Sequence, residues 1–491
     1  MSRKRIILVT AGIMLSLFLA SMESTVVATA MPTIVGQLGG LEHYSWVFSA
    51  YMLASTTTVP LYGKLSDIYG RRKLYVFAMA LFLAGSVLCG WATSMTGLIF
   101  ARAMQGIGAG GIMPLAFILI GEMFTLEERA KMQGFFSGVW GVSSIVGPLL
   151  GGFLVDQLSW RWIFYINIVP GLLAAFLVAL AWRDQVRTHE RPAVDYLGAA
   201  LLTASVVMLL LGLMGSGTSG RALIAGAVVL FIVLLWIERR AADPILPLHL
   251  FRDRLFATAT AHGILAGWAI FGSVSFIPLF VQAVRGTSAT QAGITLTPML
   301  LGWVAASIIG TRLLLSVGYR RLGMIGTASL TVGSFLMSQA GMQTSQISLM
   351  AFVALMGIGM GLSIPAFLIA VQTSVQRRQL GTATSMLQFS RSIGGTLGVS
   401  VMGAALSARL ASNLLASGLD LELVRQLLDP LPGSEVVIAE GARIAMADSI
   451  HLVFMIAFVA AALAMVAVIF TPRKELTERA PERDASAVSA D

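Results

Sequence analysis

Fourteen stretches of roughly twenty mainly apolar residues succeed one another along this chain of 491 residues, and that succession limits its fold more than any single motif does. Hydrocarbon offers no water to the backbone, so a spanning segment must satisfy its own amides as a helix or join a closed barrel. Barrel strands need only about ten residues, whereas a helix needs about 20. The stretches lie near 6–30, 45–63, 74–93, 98–122, 132–155, 162–182, 195–214, 222–238, 257–282, 290–316, 322–341, 347–371, 381–408 and 449–470. They predict an all-α polytopic membrane protein with 14 transmembrane helices. A composition of 57% hydrophobic and 12% charged residues excludes a soluble globule of this length.

Charge on the connections orients the helices. The segment GKLSDIYGRRK at 63–73 sets Lys64, Arg71, Arg72 and Lys73 against Asp67. Positive charge beside helix ends resists translocation, so this connection is predicted on the cytoplasmic side. Alternating from there, 24 of the 33 Lys and Arg residues share that side; Arg161, Arg221, Arg285, Arg409, Arg425 and Arg443 lie opposite, and Arg102, Arg312 and Arg391 inside spans. Such asymmetry predicts an even number of spans with both termini cytoplasmic. Arg3-Lys4-Arg5, an apolar run and Ala28-Thr29-Ala30 mimic a cleavable signal peptide, yet its removal would leave an odd number of spans. The net charge of +9 is spread over many short connections and gives no basis for nucleic-acid binding. Cys89, the single cysteine, excludes a disulfide framework and a Cys-based metal site.

The two halves of the chain echo each other at an offset near 250. GRRKLY at 70–75 aligns with YRRLGM at 319–324, GIGAGGIMP at 106–114 with GIGMGLSIP at 357–365, and GPLLG at 147–151 with GGTLG at 394–398. The pairing predicts two pseudo-symmetric six-helix bundles, at 1–192 and 241–472, with spans 7 and 8 as a two-helix insert at 193–240. The sizeable outer loop, at about 410–447, contains LDLELVRQLL, which reads as a short amphipathic helix, before the turn signal DPLPGSE. The polar tail at 473–491 is predicted to be disordered and cytoplasmic.

These segments resemble the major facilitator superfamily over the whole chain, and the number of spans is similar to its 14-helix drug:proton antiporter branch of the multidrug-resistance type. GKLSDIYGRRK resembles the superfamily's loop signature and RAMQGIGAG at 102–110 its fourth-helix motif. GVSSIVGPLLGG at 141–152 with SWRWIFYINIVPG at 159–171 is similar to the antiporter motif and its continuation. MESTVVATAMPTI at 22–34 resembles the first-helix motif of that branch, with Glu23 where many relatives carry Asp. The resemblance implies proton-driven export of amphipathic compounds by alternating access, in a bacterial inner membrane.

Glu23 lies deep in the first span, where a carboxylate costs about 2.5 to 3.5 kcal/mol on insertion scales for the comparable Asp. Burial raises a carboxyl pKa and a nearby cation lowers it, so an acid alternating between those settings can bind and release a proton. A permanently protonated or paired structural acid is the competing reading. Arg102, in the fourth span, keeps its charge and needs a partner or water. Its repeat counterpart is Val353, so packing of this helix does not demand an arginine. The resemblance implies a part in proton coupling through Glu23; snorkelling to the outer interface is the alternative.

Gly63 and Gly70 permit close helix approach and a sharp turn, so Asp67 could meet a helix N-terminus or an arginine. The resemblance implies that Gly63, Asp67, Gly70, Arg71 and Arg72 close the cytoplasmic side. Gly138, Gly141, Gly147, Gly151 and Gly152 around Pro148 suit close packing in lipid, and the resemblance adds contact with the second half and control of leakage. Arg391 and His262 are the second-half candidates. Met22, Trp46, Tyr51, Gln105 and Trp140 are cavity candidates from helix position alone.

With Glu23 the one deeply placed acid, substrates are expected to be small, lipophilic, and neutral or monocationic. No cofactor is expected: the proton gradient supplies the energy, and no Walker loop is present. No close-spaced catalytic set such as HExxH or GxSxG points to an enzyme. Partners are restricted to substrates, protons and membrane lipids, with no nucleic acid, and the protein is expected to be monomeric. A dedicated exporter of a lipid, siderophore or secreted metabolite, and a transport-inactive membrane sensor, remain open alternatives.

Overall fold

A computed structural model of the chain describes residues 2–38, 44–184, 195–214, 217–240, 246, 248–287, 289–376, 379–417 and 440–473. Every predicted stretch is met by helix. In order they are α1 (Arg3–Leu38), α2 (Tyr44–Tyr69), α3 (Arg71–Trp91), α4 (Met95–Met123), α5 (Leu126–Gln157), α6 (Trp162–Tyr165), α7 (Ile168–Ala181), α8 (Tyr196–Met214) and α9 (Gly217–Glu238). There follow α10 (Arg254–Leu279), α11 (Ala289–Val317), α12 (Tyr319–Ser338), α13 (Gln346–Ser374), α14 (Leu380–Ser417) and α15 (Glu440–Ile469). The sixth stretch is shared by α6 and α7, which break at Ile166 and Asn167.

Among the described residues, ten segments are long and apolar enough to cross a membrane on length and composition alone. α2 and α12 fall short of that measure. α2 carries the hydroxyl run Ser55 to Thr58 and α12 a series of Gly, Ser and Thr. A helix whose faces meet other helices through small residues needs less hydropathy than one facing lipid. Large apolar side chains such as Phe77, Phe100, Val169, Phe176 and Ile347 are exposed, as a lipid-facing surface requires.

Local chemistry sets the helix ends. Ser94 Oγ accepts from the Gly97 amide at 3.2 Å ahead of α4, and Ser345 Oγ from the Ser348 amide at 3.1 Å ahead of α13. Pro114 inside α4 and Pro365 inside α13 preserve the same internal echo. One correspondence shifts by a residue. Gly70 (φ 95°) and Gly318 (φ 82°) occupy matching positions ahead of α3 and α12, which pairs Arg71 with Tyr319 and Arg72 with Arg320. The left-handed glycine, and not the arginine pair, is what the turn demands.

α1 packs on α5 and α7, and α2 and α3 pack on α4. In the second half α11 and α12 pack on α13, α10 packs on α14, and α15 lies against α10, α12 and α14. α8 and α9 pair with each other, and α8 also touches α2 and α14. The predicted boundary at 192 and the predicted amphipathic helix and turn at 419–435 fall outside the described residues, as does the tail beyond 473. Helix takes up both margins of the predicted 410–447 loop, because α14 runs to Ser417 and α15 begins at Glu440. Arg409 and Asp448 hold those helix ends together at 2.9 Å.

Candidate functional site

Glu23 on α1 and Arg102 on α4 form an ion pair at 2.5 Å, each 1% exposed. Two charges taken out of water cost several kcal/mol apiece unless geometry and further hydrogen bonds compensate. Here they do. Glu23 Oε1 meets Arg102 Nη1, and Glu23 Oε2 accepts from Asn167 Nδ2 at 2.7 Å. Arg102 Nη1 also donates to Gln105 Oε1 at 2.6 Å and its Nε to the Val47 carbonyl at 3.2 Å. Its guanidinium lies over the Tyr51 ring, 4.2 Å from the centroid, a favourable placement for a desolvated cation. Gln105 Nε2 donates in turn to Ser86 Oγ at 2.9 Å.

The local sequence explains how α1 to α4 and the break ahead of α7 converge on one polar network. Arg102 and Gln105 stand three residues apart on one face of α4. Gly85 lets α3 close on α4 directly beside Gln105: a Cβ at that position would lie 2.5 Å from the Gln105 Cα. The break between α6 and α7 turns Asn167 inward to Glu23. Arg102 is seven residues into α4, or about 10 Å along the helix axis, so the pair is nearer the face opposite the 63–73 connection. Snorkelling is excluded for this arginine, since it is buried and bonded to protein atoms.

A second charged cluster lies at the face carrying the 63–73 connection, called here the basic face. Arg71 Nη2 meets Asp67 Oδ1 at 2.5 Å and Glu122 Oε1 at 3.0 Å, and its Nη1 donates to the Ser66 carbonyl at 2.6 Å. Asp67 Oδ2 reaches across to the second half. It accepts from the Thr382 amide at 3.0 Å and the Thr382 hydroxyl at 2.9 Å, in the first turn of α14, where free amides and the helix dipole favour an anion. A Cβ on Gly63 would collide with the Ser385 side chain, so glycine is what allows α2 to approach α14. Asp184 Oδ1 accepts from the Arg71 amide at 2.8 Å, the Arg72 amide at 3.3 Å and Trp182 Nε1 at 2.9 Å. The Arg72 side chain itself is exposed and stays outside the cluster.

Other contacts join the halves toward the same face. Gln372 Nε2 donates to the Phe117 carbonyl at 3.3 Å, and Gln388 Nε2 approaches Met113 Sδ at 3.4 Å. On α5, Gly134 faces Ile308 and Thr311 of α11, and Gly141 faces Val304. A Cβ on Gly138 would meet nothing within 4 Å. Gly134, which the sequence did not single out, leaves room for ordinary contact with α11, whereas a Cβ on Gly141 would lie a tight 3.1 Å from Val304; Gly147 and Gly151 are buried.

The cavity candidates separate. Tyr51 and Gln105 belong to the ion-pair network, Met22 is buried in an apolar cluster with Trp160 and Phe164, Trp46 is partly buried, and Trp140 is 36% exposed on α5. His262 and Arg391 come together in the second half, on the walls of one small cavity. Sequence reasoning missed Asn167, Ser86, Thr382 and Asp184. Asn167 carried a signal, a lone amide inside the apolar run WIFYINIVPG, whereas a serine or threonine in a membrane helix carries none. Among the described residues no group of three His, Cys, Asp or Glu is placed to hold a metal ion.

Membrane-length helices in two facing halves, a buried ion pair inside one half and a charged latch joining the two define a polytopic helical transporter. The chain belongs to the Major Facilitator Superfamily, whose family model matches residues 13–399. It is 39% identical over 423 residues to the multidrug transporter protein MdtP of Bacillus subtilis (strain 168), covering 85% of this chain and 78% of that protein. It is also 39% identical over 402 residues to multidrug resistance protein 3 of the same organism, covering 80% of this chain and 78% of that one. Among solved structures, the proton:xylose symporter XylE bound to 6-bromo-6-deoxy-D-glucose superposes with a TM-score of 0.65 at 14% identity, covering 96% of this chain and 97% of that one. A bacterial homologue of the human lysosomal transporter Spinster, inward-facing and occupied, gives 0.60 at 17% identity, covering 96% and 97%.

Proposed function

We propose that this protein exports lipophilic drugs, neutral or monocationic, in exchange for protons by alternating access between two six-helix bundles. The observation that carries the reading is the Glu23–Arg102 pair, a buried carboxylate bonded through both oxygens and a guanidinium bonded through Nε and Nη1, at membrane depth. An acid held by a cation is ionised; separating the two in a buried site favours its protonation. Motion of α1 against α4 that loosens the pair would therefore load a proton on Glu23, and re-forming it would expel the proton. A proton moving inward gains about 2.3 kcal/mol per 100 mV, enough to sustain export.

The drug-efflux relatives support the substrate class, and the basic loop at 63–73 supports an inner-membrane orientation with both termini in the cytoplasm. On that orientation, the Asp67–Thr382 latch and the α5–α11 contacts are those expected of a state closed to the cytoplasm and open outward. Gly63, Asp67, Gly70 and Arg71 then act as the gate, and the α5 glycines as the sliding seal. The test is substrate-induced proton flux in proteoliposomes across a panel of lipophilic dyes. The parent is expected to move protons on dye addition and Glu23→Gln to lose that flux while still binding dye. Undiminished flux in Glu23→Gln would remove Glu23 from the mechanism, and no flux in the parent would remove proton antiport.

A further inference from the structure

Among the described residues, the polar groups that the first half gathers around Glu23 have no acidic counterpart inside the second half. A small cavity opens where α10, α13 and α14 meet, about 30 Å³ in volume, with His262, Phe367, Gln388 and Arg391 among its walls. His262 is 1% exposed, its ring lies 4.9 Å from that of Phe367, and its Nε2 has no hydrogen-bond partner among the described residues. Arg391 Nη2 donates to Gln388 Oε1 at 2.8 Å, and among the described residues no carboxylate pairs with this arginine. A guanidinium in a membrane span with a neutral amide for company, beside an unsatisfied imidazole, is an anomaly on energetic grounds. Elsewhere in the same protein the buried Arg71 and Arg102 are each matched by a carboxylate.

The location faces the right way for a ligand. Gln388 reaches Met113 of α4, in the first half. Arg391 is one helical turn further on the same side of α14, so it borders the space between the halves, and it is only partly buried. Gly267 lets α10 lie directly on the Arg391 backbone and Gly263 makes room for the Ser390 side chain, which fixes the arginine against the helix that bears His262. Arg391 is eleven residues into α14, about 16 Å from the basic face, close to mid-membrane.

We propose that this cavity is a recognition subsite for a carboxylate carried by the transported molecule, so that the substrates include lipophilic monoanions and zwitterions. The inference rests on the transporter reading and extends its substrate class. The guanidinium fork matches a carboxylate in a way that no point charge does. The imidazole and the Gln388 amide supply further donors, and Phe367 and Leu368 supply an apolar wall for the adjoining methylene. A volume of 30 Å³ is room for about two water-sized groups, which admits the two carboxylate oxygens but no ring system, so the body of the molecule stays in the space between the halves.

The experiment uses the full chain in nanodiscs and three probes that share one fluorophore: pyrenebutyrate, pyrenebutanol and pyrenebutyl-trimethylammonium. Binding is read by energy transfer from tryptophan, and substrate-induced proton flux is read in parallel in proteoliposomes. In the parent, pyrenebutyrate is expected to bind at least as tightly as the alcohol. Arg391→Gln should weaken pyrenebutyrate about tenfold or more, as loss of a charge-assisted bidentate contact requires, while the cation stays within about threefold. Arg391→Lys should recover part of the loss, and His262→Leu should show a smaller loss confined to the same probe. Equal weakening of all three probes, Arg391-independent binding of pyrenebutyrate, or no pyrenebutyrate binding by the parent would overturn the subsite. Arg391-dependent binding without proton flux would instead uphold the subsite and overturn proton coupling.

Discussion

The latch between Asp67 and the start of α14 makes the most demanding prediction. The ion pair of Asp67 with Arg71 stays within the first half, whereas the two bonds from Thr382, at 3.0 and 2.9 Å, cross to the second half. Only the crossing bonds favour closure of the basic face over its opening. A hydrogen bond to a charged acceptor contributes about 1.5 to 3 kcal/mol and one to a neutral acceptor about 0.5 to 1.5 kcal/mol. Asp67→Asn keeps an acceptor oxygen but not the charge, so closure should weaken by roughly 2 to 3 kcal/mol over the two bonds. That is a shift of about 30- to 150-fold in the closed-to-open ratio.

Spin labels at Tyr69→Cys and Gln376→Cys, on exposed positions of the two halves at that face, would report the ratio as a distance distribution. Cys89 is the chain's single cysteine and is buried, so Cys89→Ala gives a clean background. The parent should show one short distance, and Asp67→Asn should add a longer population. An unchanged distribution in a folded variant would refute the assignment of closure to this latch.

Glycine substitutions on α5 should part company. Gly141→Leu, facing Val304, and Gly147→Leu should abolish transport with normal membrane insertion, whereas Gly138→Ala, which meets open space, should leave export within about twofold; equal effects would sink the idea of a fitted α5–α11 seal. Asn167→Ala removes the donor to Glu23 Oε2 and should cost about 1 to 3 kcal/mol of stability, read as a lower unfolding temperature in detergent, with no change counting against the network. Gly70→Ala forces a side chain into φ 95° and towards Asp184. It should destabilise the start of α3 by about 1 to 2 kcal/mol, visible as faster amide exchange at Arg71 and Arg72.

Much of the architecture was legible in the sequence because the membrane enforces it. A run of apolar residues long enough to span can be little else than a helix, so the predicted stretches and the helices agree within a few residues except where polar chain extends them. α1 runs to Leu38 and α14 to Ser417, beyond the predicted ends at 30 and 408, since hydropathy falls before the helical hydrogen bonding stops. Glu23, Arg102, Asp67 and Arg71 were legible for the same reason: charge in or beside hydrocarbon is costly enough to stand out.

Tertiary structure alone decided the partners. Nothing in the spacing of Glu23 and Asn167, 144 residues apart, or of Asp67 and Thr382, 315 apart, foretells a hydrogen bond. Hydropathy acts on each segment separately, whereas pairing depends on which faces two helices turn to each other, a property of the whole bundle. The same packing moved Gln105 from a presumed cavity into the polar network and drew Gly134 into the seam with α11. It also left Arg391 without a carboxylate among the described residues, beside a histidine more than a hundred residues earlier in the chain. The sequence determined that charges would lie inside the membrane; close packing of helices distant in the chain determined what each charge would meet.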